Sequence, residues 1–240
     1  MNYPVWELGP FGGGFWIALM ATVHVFISHF AIGGGFWLVL TEIRARRTND
    51  RLLLDYVKSH ALFFLLLTIV LGAITGVGIW WTIALLNPAG TSSLIHTFVF
   101  GWATEWVCFV GEIVALLIYY RTFDTLSPRN HLIIGWFYFV FAWLSLFLIN
   151  GIIGFMLTPG GWLETGSFWQ GFFNPSFWPS LVFRSAICAM LAGLFGLVTG
   201  AWQKDPAFRG RVVRYNALWV VLPFAVMALS AWWYVAALPD

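Results

Sequence analysis

Charge is what this sequence has least of: Asp, Glu, Lys and Arg make up 9% of its 240 residues, against about 25% in a soluble domain. Such scarcity excludes a soluble globular chain. The formal net charge of +2 is no basic patch either, so a nucleic-acid partner is not expected. Cysteine is nearly missing as well. The two present, Cys108 and Cys188, fall in apolar runs and no CxxCH occurs, so neither a disulfide framework nor covalent haem attachment is expected, and both read as packing residues. The opening MNYPVWELGPFGGG has no basic stretch and no small-residue cleavage site. A removable signal peptide is therefore not expected, and the first apolar run serves as its own insertion signal. Long linkers and low-complexity tracts are also missing, which leaves one domain over residues 1–240.

What the chain has in abundance is apolar and aromatic residues: 60% hydrophobic, with 16 Trp and 24 Phe. Runs long enough to cross about 30 Å of hydrocarbon recur at roughly 13–41, 61–86, 95–120, 131–157, 178–202 and 213–237. The fold class is an all-α integral membrane protein, a bundle of about six transmembrane helices. Eleven of the twelve Lys and Arg residues lie in the joints after the first, third and fifth runs, and the opposite joints have none. The positive-inside rule then puts both the N-terminus and the C-terminus on the non-cytoplasmic side of the inner membrane. The longest opposite joint, 158–179, is full of Trp and Phe, which suits an aromatic belt or a cover over a pocket. Small residues at helix-packing spacing (Gly72 and Gly76; Gly151 and Gly154; Gly193, Gly196 and Gly200) let backbones approach closely and also leave room for a flat cofactor.

Ionisable groups inside such runs are costly and should face the bundle interior with a partner. They are His24, His29, His96, Glu105, Glu112 and Arg184, with Asn150 and Thr75 as uncharged company. Counted along their runs, they gather towards the non-cytoplasmic half. His24 and His29 are five residues apart, so at about 100° per residue they point roughly 140° apart and cannot serve one metal. Glu105 and Glu112, seven apart, return to nearly one face, as a proton path or a charged pocket wall would require. Plainer roles compete: a hydrogen-bonded neutral imidazole for His24 and His29, a solvated interfacial site for His96, and protonated carboxyls bonded across helices for the glutamates. Arg184 has no plain role, because guanidinium stays charged and must find an anion, either a carboxylate or a haem propionate. His60 and His131 are expected at the cytoplasmic interface.

At these residues the chain resembles the N-terminal part of cytochrome bd-type quinol oxidase subunit I, over about residues 11–203. ALMATVHVFISHFAIGGGFWLVLTEI is similar to that family's first helix, LGAITGVGIWW to a Thr-Gly segment of the second, ATEWVCFVGEI to the two glutamates of the third, and LFLINGIIGFMLTP to an Asn-Gly turn of the fourth. The resemblance implies that His24 is an axial haem ligand and that Glu105 and Glu112 lie near high-spin haem. It also implies an N-out topology. Departures accompany it. The two glutamates are one residue closer than in the family, Arg184 stands at about the position of a helix-5 histidine ligand, and the quinol-binding loop and later helices are not in this chain.

The expected function is a haem b-binding electron-transfer subunit of a bd-oxidase-like respiratory complex. It would run between the quinone pool and a non-cytoplasmic cytochrome c or catalytic subunit, in company with other membrane subunits. His24, His29 and His96 are the candidate iron ligands, Arg184 and Asn150 further cofactor contacts, and Glu105 and Glu112 the proton path or pocket wall. No single catalytic residue is assigned. The alternatives are a proton-conducting or transporter-like subunit without cofactor, against which stands the lack of an inverted repeat, and a structural anchor.

Overall fold

The computed structural model describes residues 4–239. Among the described residues there are helices and no strands. Six of them are long and apolar enough to cross a membrane. The first, α1 (Gly12–Arg47), follows a single 3₁₀ turn at Gly9–Phe11. The second, α2 (Arg51–Leu86), contains a wide π turn at Leu67–Leu71. A short α3 (Pro88–Thr97) precedes α4 (Val99–Arg121) and α5 (Pro128–Phe155). Two further short helices, α6 (Trp162–Thr165) and α7 (Phe168–Phe172), lead to α8 (Phe177–Ala201) and α9 (Pro206–Ala236).

Local chemistry sets the ends. Asp50, Asn87, Ser127 and Asp205 each accept a backbone N–H from the first turn that follows, and Pro88, Pro128 and Pro206 sit where a missing N–H costs nothing. Hydropathy alone starts the second run at 61, whereas the Asp50 cap starts the helix ten residues earlier. Phe98, fully buried at φ −122, breaks the expected 95–120 run, so His96 lies on α3 rather than on the membrane span.

Three consecutive glycines in α1 meet three different helices. A Cβ on Gly33 would lie 1.8 Å from the Cys188 carbonyl oxygen of α8, one on Gly34 2.4 Å from the Phe64 ring of α2, and one on Gly35 2.2 Å from the Tyr138 ring of α5. This segment is the axis of the bundle. Gly193 and Gly196 play the same part between α8 and α9, against Trp219 and Asn216. Burial is uneven along the axis. Every buried residue of α1 lies at or beyond Ile27, and the part of α2 after the π turn buries only Thr75 and Leu86. Along α1 and α2 the end carrying the basic residues is therefore the packed one, and the opposite halves of these two helices, with His24 and Thr75, are loosely covered. The corresponding end of α5 and α8 is packed, with Asn150, Ile152, Phe177 and Leu181 buried.

Candidate functional site

His24 sits in the loosely covered half of α1, with its ring facing α2. Its Nδ1 is 3.1 Å from Thr75 Oγ1. The one hydroxyl proton of Thr75 is already directed to the Leu71 carbonyl at 2.7 Å, so the Thr75 oxygen accepts and His24 Nδ1–H donates. That fixes the tautomer and leaves Nε2 with a free lone pair. Nearby, a Cβ on Gly76 would come within 3.3 Å of His24 Cε1, so the absent side chain is what keeps the imidazole uncrowded. The π turn lies one turn ahead of Thr75. Wide turns of this kind often accompany functional side chains.

His29 is buried and donates Nδ1–H to the Val25 carbonyl at 2.8 Å. Its Nε2 too is left with a lone pair. The two rings take different hydrogen-bond partners, Thr75 of α2 for His24 and a carbonyl of its own helix for His29. Glu105 and Glu112 follow one another along α4, two turns apart on nearly one face. Both carboxyls and the Arg184 guanidinium are half-buried. Among the described residues none of the three takes part in a hydrogen bond or an ion pair.

Two predicted contacts are not joined to this group. Asn150 is buried, donates to the Phe177 carbonyl at 2.9 Å and accepts from Ser180 Oγ at 2.8 Å. It is a tie between α5 and α8. His96 is exposed on α3, with Nδ1–H on the Ser92 carbonyl at 2.7 Å and Nε2 free. The aromatic joint 158–179 packs partly on the bundle. Phe168 and Trp162 pack on Phe98 and Phe155 at 5.6 and 4.9 Å between ring centroids, while Trp169 and Trp178 stay exposed.

A second polar group, at the packed end, was hidden from hydropathy and spacing. Glu42 is fully buried. It accepts Arg46 Nε–H at 2.6 Å, Tyr119 O–H at 2.7 Å and contacts His131 Nδ1 at 2.8 Å. His131 Nε2 is 2.9 Å from the Tyr119 carbonyl, which only accepts, so Nε2 carries a hydrogen. One further proton lies between Glu42 and His131. The expected interfacial place of His131 is thus corrected, because its ring closes a buried network joining α1, α4 and α5. His60 is corrected likewise. It is buried between Trp37, at 4.4 Å, and Thr199 Oγ1, at 2.8 Å from Nδ1, and its Nε2 has no partner. The only sequence signal for Glu42 was an acidic residue four before Arg46, which also describes an ordinary solvated pair.

The fold defines the class: an all-helical membrane protein with six candidate spans. Residues 15–237 match the family model described as cytochrome bd terminal oxidase subunit I, and the chain belongs to that family. It is an integral, multi-pass protein of the cytoplasmic membrane. Among solved structures its fold is similar to bd oxidase from Geobacillus thermodenitrificans, at 20% identity and a TM-score of 0.79, over 91% of this chain and 53% of that one. The chain therefore spans about half the length of the solved chain it matches. No curated protein matches it in sequence.

Proposed function

We propose that this chain is a haem b-binding electron-transfer subunit of a bd-oxidase-like complex, passing electrons between the quinone pool and a partner on the non-cytoplasmic side. The observation that carries the reading is the His24 imidazole: Nδ1–H is anchored on Thr75, Nε2 is free, and the surrounding turns of α1 and α2 are loosely covered. An anchored second nitrogen is how proteins orient a metal-ligating histidine. The unpartnered Arg184, Glu105 and Glu112 also fit such a group. Charges at that depth need counter-charges, and a haem brings two propionates and a cationic iron.

In this reading His24 Nε2 would hold the iron and Arg184 would neutralise a propionate. The haem supplies a one-electron couple at the iron. Glu105 and Glu112, stacked on α4, exchange protons as the local charge changes, and the aromatic cover from Phe168 and Trp162 excludes water from that end. His29, on another face of α1, would be an alternative to His24 as a ligand rather than its partner on one iron. His96 serves only if α3 moves towards the bundle or a neighbouring subunit brings the haem to it. With the basic joints in the cytoplasm, the site lies near the outer surface, within reach of a cytochrome c or a catalytic subunit.

The test is a visible spectrum and a pyridine haemochrome assay on the purified protein with whatever subunits accompany it. Haem b is expected, with loss or conversion to high spin in His24→Ala. A protein free of haem would sink the proposal. The stacked glutamates then favour the second reading, a proton-conducting subunit, for which proton flux in liposomes dependent on Glu105 or Glu112 is the measurement.

A further inference from the structure

At the end of the bundle that carries the basic residues, a cavity of about 290 Å³ opens between the end of α1, the start of α2 and the first turns of α9. Arg44, Thr48, Asp50, Leu53, Arg211 and Tyr215 are among its walls. Two of the charges are already paired. Arg211 Nη1 lies 2.7 Å from Asp50 Oδ2, and the other Asp50 oxygen accepts the Leu53 N–H at 3.0 Å, capping α2. Arg44 is different. It is exposed, its guanidinium lies 4.9 Å above the Tyr215 ring, and among the described residues it has no ion pair. The cavity thus has one positive charge in excess and offers an anion a held guanidinium beside a fixed ion pair.

Its depth narrows the choice of anion. Arg44 is three residues from the end of α1 and Arg211 five residues past the start of α9. At about 1.5 Å per residue both lie within a turn or two of the helix ends, at headgroup level. Directly along α9 from Tyr215, the positions three and seven residues on are Leu218 and Leu222, 56% and 65% exposed. Those offsets return to nearly the same helix face, so an apolar track runs from the cavity into the hydrocarbon. A free phosphate would use the cavity alone, whereas a phospholipid uses the cavity and the track.

We infer that this cavity binds the phosphate of an anionic phospholipid, with Arg44 as its free cation, Arg211 and Tyr215 beside it, and the acyl chains along α9. Basic pockets between membrane helices recognise headgroups in this way, and each surface cation is worth about 1 kcal/mol. Binding would tie the start of α9 to α1 and α2.

The experiment uses the full chain with its accompanying subunits, in nanodiscs of phosphatidylcholine alone or doped with phosphatidylglycerol. The thermal midpoint should rise with the doped lipid. Lipid carried through purification and counted by mass spectrometry should be enriched in anionic species. Arg44→Gln, which breaks no ion pair, should weaken the effect about five-fold. Arg129→Gln, exposed and outside the cavity, should leave it intact. Equal loss in both variants would show only a general surface charge effect and overturn the site. Stabilisation reproduced by inorganic phosphate would overturn the lipid, and so would an Arg44→Gln protein that keeps its lipid but sheds a neighbouring subunit.

Discussion

A histidine whose one ring nitrogen is held by the protein offers the other in a set direction, and at His24 the holding group is a threonine with no proton left to give. Thr75→Val keeps the side-chain volume and removes the acceptor. It is expected to weaken haem retention about 10- to 100-fold, measured as transfer to a competing apoprotein, with helix content unchanged. Glu42 is the opposite kind of residue, since all its partners are within the chain. Glu42→Leu leaves Arg46 and His131 without their carboxylate and should cost about 3–5 kcal/mol, seen as a lower thermal midpoint or failure to accumulate. The His131→Leu, Glu42→Leu double variant should recover part of that loss. Of these residues, His24 was legible because an imidazole in an apolar run is conspicuous. Glu42 was not, because four residues before an arginine at a helix end is also where surface carboxylates sit.

At the scale of elements, the crossing of α1 by α8 depends on a hydrogen atom in place of a methyl group. Gly33→Ala would put a Cβ 1.8 Å from a backbone oxygen, which no rotamer relieves, and the helices must separate. Overpacking of this kind costs about 1–3 kcal/mol or more. Gly14→Ala, where a Cβ meets nothing within 4 Å, is expected to be neutral or mildly stabilising, and the difference in thermal midpoint between the two variants checks the assignment. Hydropathy located all six spans yet placed several ends too far inside. Caps such as Asp50 and Ser127 act through single hydrogen bonds and leave no trace in an average over many residues.

For the whole molecule, the uneven packing is the property with consequences. Along α1 and α2 the half with the basic joints is closed by the Glu42 network and the glycine axis, while the other half, with His24 and Thr75, is lightly covered. A group inserted there should stabilise that half first. If haem is held at His24 as proposed, removing it is expected to raise hydrogen exchange in the turns of α1 and α2 around His24 and Thr75 and to leave the turns of α1 beyond the three glycines protected. The topology is checked separately. A periplasmic reporter fused after Leu238 should be active, and one placed in the 202–205 joint inactive, if the basic joints face the cytoplasm.

Composition and hydropathy by themselves determined that this is a membrane bundle of six spans, because the cost of bare backbone and charge in hydrocarbon leaves few other solutions. They also determined that His24 and His29 part company, since helical spacing is rigid. Which neighbour each one meets, that Asn150 and His131 tie helices together, and that Arg184 and the glutamates have no ion pair among the described residues were decided only by tertiary structure. Those outcomes depend on how helices far apart in sequence cross, and the crossings are set by contacts a few ångströms wide that no periodicity encodes.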